Sequence, residues 1–163
     1  LEALIRKHRP VLVLALGQAG GRDGISLERV AINLIDARIP DNAGDQPVDI
    51  AVVDNAPNAY FSTLPIKAML SRMIDAGVTA SISHTAGTFV CNQVFYALAH
   101  LTATKHSSMR SGFIHVPFLP EQTARHPGAP SMSLESMVEA IRVCVAAAVA
   151  SADDVHYAAG DTH

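Results

Sequence analysis

Six consecutive apolar residues, Val11-Leu12-Val13-Leu14-Ala15-Leu16, run directly into Gly17-Gln18-Ala19-Gly20-Gly21-Arg22. An unbroken apolar run of strand length is the pattern of a β-strand covered on both faces, as parallel sheets require. The glycine-rich segment then becomes a loop at the carboxyl end of a central strand. Ahead of the run, residues 1–9 read as the end of an amphipathic helix. Leu1, Leu4 and Ile5 form its apolar side, and Arg6, Lys7 and Arg9 lie where cations complement the helix dipole. Pro10 stops it.

Strand and helix patterns alternate along the rest of the chain. Residues 25–35 read as a half-buried strand, with Val30, Ile32 and Leu34 set against Ala31, Asn33 and Ile35. Residues 36–59 carry Pro40, Asp41-Asn42, Gly44, Pro47 and Pro57, and read as loop and turn. Ser62 or Thr63 is placed to cap a helix with Pro65 in its first turn, an Ile66, Met69, Leu70, Met73, Ile74 stripe, and Gly77 as its stop. Val78 to Ser83 is a strand, and Thr85-Ala86-Gly87-Thr88 a turn. A helix follows from Cys91 to Ala103, then a strand over Gly112 to Pro117 and a loop over 117–130. Ser131 or Ser133 opens a last helix with Leu134, Met137, Val138, Ile141 and Val145 inward.

This order predicts an α/β fold, a three-layer α/β/α sandwich on a largely parallel, twisted mixed sheet. The chain opens mid-helix, so the N-terminal strand that usually precedes the first helix is read as missing. The expected organisation is one domain over 1–152, N-terminally incomplete, and a small polar tail over 153–163, frayed from about Asp153.

Composition narrows the function. The 163 residues are 49% apolar and 17% charged, a globular balance, and the net charge is −3. Lys and Arg are scattered singly, so no basic stripe offers itself to nucleic acid. Even the alanine-rich run after Arg142 falls short of the ~18 apolar residues a membrane span needs. Two cysteines suit a reducing cytoplasm rather than a disulfide framework, and the dispersed histidines give no metal-ligand spacing. The Gly17–Gly21 loop fits neither GxGxxG nor GxxxxGK[ST], which argues against a nucleotide site.

Cys91 stands at the start of a helix. Unpaired N–H groups and the positive end of the helix dipole there lower a thiol pKa and can hold an oxyanion. Taken alone, it reads first as a small core residue, since free cysteine is commonly buried. His115, near the carboxyl end of an apolar strand, is either a crevice-facing base or a core histidine bonded to a carbonyl. Glu28 could fix the tautomer of an imidazole; by itself it reads as exposed or paired with Arg29 or Arg38. Cys144, among Val143, Val145 and Ala146, is a packing residue.

Six ordered segments carry more. Gly17–Arg22, Leu27-Glu28-Arg29-Val30-Ala31-Ile32-Asn33, Asp36-Ala37-Arg38-Ile39-Pro40-Asp41-Asn42, Tyr60-Phe61-Ser62-Thr63-Leu64-Pro65-Ile66-Lys67, Thr85-Ala86-Gly87-Thr88-Phe89-Val90-Cys91-Asn92 and Gly112-Phe113-Ile114-His115-Val116-Pro117-Phe118-Leu119-Pro120 resemble the signatures of the pyroglutamyl peptidase I (pyrrolidone carboxyl peptidase) family. The resemblance spans the chain from Val11 to about Val145. It implies a cysteine peptidase that removes N-terminal pyroglutamate through a thioester, with Cys91 as nucleophile, His115 as general base and Glu28 orienting it. It further implies an oxyanion hole from Arg38 and the Cys91 N–H, lactam recognition by Gln18, and a binding wall at Phe89 and Val90. No metal or cofactor is implied. Expected partners are peptides with N-terminal pyroglutamate and further copies of the chain, as a dimer or tetramer. Two departures stand out. The family's N-terminal strand and aromatic, glycine-containing loop have no counterpart, and Gln93 replaces a frequent histidine. The rival expectations are a truncated or degenerate non-catalytic relative and a cysteine amidase of other specificity.

Overall fold

The computed structural model describes residues 1–160; residues 161–163 of the expected polar tail lie outside the described residues. Element by element, the chain forms α1 (Glu2–His8), β1 (Leu12–Gln18), β2 (Ile25–Glu28), β3 (Val30–Ile32), β4 (Ala59–Phe61), α2 (Ile66–Asp75), β5 (Ala80–Ser83), α3 (Val90–Thr104), β6 (Arg110–Val116), a 3-10 segment (Pro120–Arg125) and α4 (Leu134–Ala150). The α/β class is as expected: a mixed, mostly parallel sheet flanked by helices. Its four strands run in the order β1-β6-β2-β5, and β3 and β4 form a separate two-stranded sheet.

The sheet order corrects the reading of β1. The strand lies at an edge of the four-stranded sheet, not at its centre. It is not covered on both faces: Leu12 to Ala15 are half-buried and Leu16 is 52% exposed. The interior strands are β6 and β2, and β2 is buried at every position, including the polar Ser26 and Glu28. Apolar runs report strand type well, but edge or centre depends on partners distant in sequence.

Residues 25–35 form two strands rather than one. The chain breaks at Arg29, β2 joins the large sheet, and β3 pairs antiparallel with β4 in the register Val30↔Phe61, Ala31↔Tyr60, Ile32↔Ala59. The phase is also reversed. Ala31 and Ile35 are buried, while Val30, Ile32 and Leu34 are only half so. Side-chain volume misleads here, because the small Ala31 fits under Phe95, Tyr96 and Phe113 in the core cluster.

The chain divides into two compact units. One comprises Leu1–Ala15, Glu28–Thr63 and His84–Phe113; the other comprises Leu16–Leu27, Leu64–Ser83 and Ile114 onward. In the first, Phe95, Tyr96 and Phe113 anchor the core, with ring centroids of Phe95 and Phe113 5.9 Å apart. Ile5 of α1, Leu98, Leu101 and Met109 form a second cluster, so the apolar side of α1 reduces to Ile5, with Leu1 and Leu4 exposed.

In the second unit, α2 and α4 pack against each other. Helix α2 buries Ile66, Met69, Leu70 and Met73, and leaves Ile74 exposed. Neither expected cap serves it, because the Ser62 and Thr63 hydroxyls both donate to the Ser111 carbonyl. Pro65 occupies the N-cap position and has no side-chain acceptor. Instead Asp154 accepts from the Lys67 N–H at 3.1 Å and the Ala68 N–H at 2.9 Å, the two donors that a local cap would satisfy. The Tyr157 hydroxyl donates to the Lys67 carbonyl, and the Lys67 ammonium lies 5.7 Å from the Tyr157 ring centroid. The segment around Asp154 to Tyr157 is therefore docked, not frayed.

Helix α4 starts as read, with the Ser133 hydroxyl accepting from the Ser136 N–H. Its inward stripe differs. Met137, Ala140, Cys144, Ala147 and Ala148 are buried, whereas Leu134, Val138 and Val145 face solvent together with Val149, which is 66% exposed. Small residues permit close approach to α2, and the bulkier ones are left outside.

Candidate active site

In the first unit, Gly87 turns the chain at φ +79°, a left-handed conformation that glycine adopts freely. Phe89 follows as the N-cap of α3 in extended conformation and has no side-chain oxygen to cap with. The first-turn N–H groups of a helix have no intrahelical partner, and its dipole is positive there. Cys91 sits in this turn, half-buried, packed against the cluster of Ala31, Ala86, Phe95, Tyr96 and Phe113. Sulfur, free N–H groups and partial solvent access are what a nucleophile with a backbone oxyanion site needs.

The neighbours expected to form a binding wall separate in exposure. Val90 is exposed, and Phe89 is half-buried. Phe89 lines a cavity of about 440 Å³ together with Ile35, Ile50, Pro47, Asp41, Asp45, Gln46 and Gln93. Arg38 is exposed, on a segment anchored by its neighbour: the buried Ala37 donates to the Pro47 carbonyl and accepts from the Gln46 amide. Glu28, read alone as exposed or salt-bridged, ends the interior strand β2 and is fully buried at 0% exposure. A carboxylate in such a place is retained only with polar partners.

In the second unit, His115 lies near the carboxyl end of β6 and is 3% exposed. Gln18 closes β1, and its side-chain amide donates to Gln122 Oε1 at 2.7 Å, with the return bond at 3.4 Å. Gln122 Oε1 also accepts from the Leu119 N–H. Gln122 was not singled out by sequence reasoning, although its place just after Leu119-Pro120 in a 3-10 turn is a local signal. Phe118 lies flat on His126, with centroids 4.5 Å apart. Gly20 is tight beneath Phe118, since a Cβ there would come within 2.2 Å of the ring.

The sequence reading gives Asn92 and Thr88 no role of their own. Asn92 is 1% exposed. Its Oδ1 accepts from the Ile32 N–H, and its Nδ2 donates to the Ile32 and Leu34 carbonyls. A buried amide directly after the candidate nucleophile was the available clue.

A family model described as pyroglutamyl peptidase matches residues 1–151. The chain belongs to the pyroglutamyl peptidase family. It is 58% identical over 161 residues to a pyrrolidone-carboxylate peptidase of Cupriavidus taiwanensis, covering 98% of this chain and 74% of that one. The corresponding protein of Yersinia pseudotuberculosis is 51% identical, with 100% and 76% covered. Among solved structures, pyroglutamyl peptidase I of Bacillus amyloliquefaciens superimposes with a TM-score of 0.94 at 44% identity, covering 96% of this chain and 74% of that one. A mutant pyrrolidone carboxyl peptidase of Pyrococcus furiosus gives a TM-score of 0.88 at 44% identity, with 91% and 74% covered. Agreement of sequence and backbone at this level extends family membership beyond the motifs to the whole described fold.

Proposed function

We propose that this chain hydrolyses the bond that follows an N-terminal pyroglutamate, with Cys91 as nucleophile. The supporting observation is the half-buried thiol on the uncapped first turn of α3, in a chain that belongs to a family of pyroglutamyl peptidases. His115 takes the thiol proton, and Glu28 holds the imidazole in the orientation that proton transfer needs. The Cys91 sulfur attacks the pyroglutamyl carbonyl carbon, and the oxygen becomes an anion held by the Cys91 N–H and Arg38. Collapse expels the peptide amine, which takes the proton from His115, and leaves a thioester. Water, deprotonated by His115, then releases pyroglutamate and restores the thiol.

Gln18 supplies an amide able to pair with the lactam N–H and C=O, exchanging its bonds to Gln122 for bonds to substrate. Phe89 and Val90 contribute apolar wall. A site that pairs buried lactam atoms discriminates strongly against ligands that leave its own polar groups unpaired. The chemistry as proposed uses side chains, the Cys91 N–H and water. A homo-oligomer is supported by the apolar outer face of α4, and a reducing compartment such as the cytoplasm suits the unbridged Cys91 and Cys144.

Hydrolysis of a pyroglutamyl coumarylamide tests the assignment. Cys91→Ser is expected to abolish turnover, and Cys144→Ser to leave most of it. Equal loss from both would overturn the choice of nucleophile, and faster turnover of other blocked amino-acid amides would reassign the specificity.

A further inference from the structure

Five hydrogen bonds join two segments of the first unit that have no shared strand ladder. Three are those of the Asn92 amide to Ile32 and Leu34. The other two lie at Thr88, whose carbonyl accepts from the Asp36 N–H at 2.8 Å and whose hydroxyl donates to the Asp36 carbonyl at 2.9 Å. Segment 88–92 carries Cys91. Segment 32–36 leads directly to Arg38. The β3–β4 ladder ends at Ile32↔Ala59, so beyond that point the backbone toward Arg38 takes its order from other contacts, these among them.

From this we infer that Asn92 and Thr88 are positioning residues for the oxyanion hole, acting through the relative placement of the Cys91 N–H and the Arg38 segment. The inference rests on the roles proposed above for those two groups. Asn92 is suited to the task because its acceptor and both its donors are engaged while it is buried, and such a network tolerates only one register. An apolar residue would fill the space without fixing where along the chain the two segments meet. Oxyanion donors must hold their geometry to within about 0.5 Å, and a misplacement near 1 Å from a mutation outside the chemistry can cost about 100-fold. Thr88 adds a second pin on the other side of Cys91, so the turn between them cannot pivot about Asn92.

The test compares Asn92→Ala, Thr88→Val and Thr88→Ser with the unaltered protein on the pyroglutamyl coumarylamide. Rates are expressed per molecule that iodoacetamide carbamidomethylates at Cys91 and leaves unmodified at the buried Cys144, because an unfolded chain exposes both thiols. Asn92→Ala is expected to lower kcat by about 100-fold, the scale of a misplaced catalytic donor, with KM little changed. Thr88→Val, which keeps the shape and loses the hydroxyl, is expected to lower kcat by about tenfold, and Thr88→Ser to restore it. In an Arg38→Ala background, Thr88→Val is expected to cost little more, because residues that act through one another are not additive. Unchanged kcat per folded molecule in Thr88→Val, a loss confined to KM, or full additivity with Arg38→Ala would each overturn the inference. Thr88→Val decides the matter if Asn92→Ala does not fold. Cys91→Ser is run alongside: if it stays active the choice of Cys91 as nucleophile fails, and if it is dead while Thr88→Val matches the unaltered protein, only the positioning role fails.

Discussion

Cys144 is fully buried on α4, with its sulfur 3.3 Å from the Met73 thioether of α2, and burial pushes its thiol up to about 12 from an ordinary 9.0. The native state therefore keeps this proton where the unfolded chain has already lost it. The stability that follows is complete below about pH 9 and fades as the pH climbs toward 12. Cys144→Ala is expected to flatten the fall in melting temperature between those limits, at a cost of about 1–2 kcal/mol at neutral pH for the vacated volume; thermal melts of both proteins across the range would show it. At pH 8, iodoacetamide is expected to modify Cys91 and spare Cys144, as peptide mass mapping would reveal. The packing role of Cys144 was legible from its apolar neighbours. That of Glu28 was not: the same kind of neighbours argued for exposure, yet the carboxylate is buried at the end of β2. A local window shows what a charge costs but not which distant group meets it.

Secondary elements were read most faithfully where a single signal governed them. Pro10 after α1, the left-handed Gly77 after α2 and the Ser133 cap of α4 all fall where the sequence puts them. The start of α2 escaped because its cap comes from a residue 87 positions further on. Asp154→Ala is expected to destabilise the protein by about 1 kcal/mol, within the usual range for a lost N-cap, and Asp154→Asn by less, since its carbonyl oxygen still accepts; urea denaturation measures both. The α4 stripe was misread for another reason. Periodicity marks a face by its large apolar residues, whereas the helix turns its alanines toward α2.

At the scale of the molecule, the alternation of strands and helices gave the α/β class, but not the strand order, which depends on pairings remote in sequence. Leu134, Val138, Val145 and Val149 leave an apolar face along α4, bordered by the Arg142–Glu139 ion pair at 3.3 Å. Apolar faces of this extent on soluble proteins commonly mark contact surfaces. Sedimentation velocity is expected to report an assembly larger than one chain, and Val138→Glu with Val145→Glu to shift it to monomer while far-UV dichroism stays unchanged. A monomer before mutation would remove that role from the helix.

The remote cap of α2 also orders events during synthesis. Lys67 emerges from the ribosome 87 residues ahead of Asp154, roughly 4 to 17 s earlier at about 5–20 residues per second. Throughout that interval the two amide hydrogens are left to water, so the first turn of the nascent helix gains its cap only once the segment carrying Asp154 has been made.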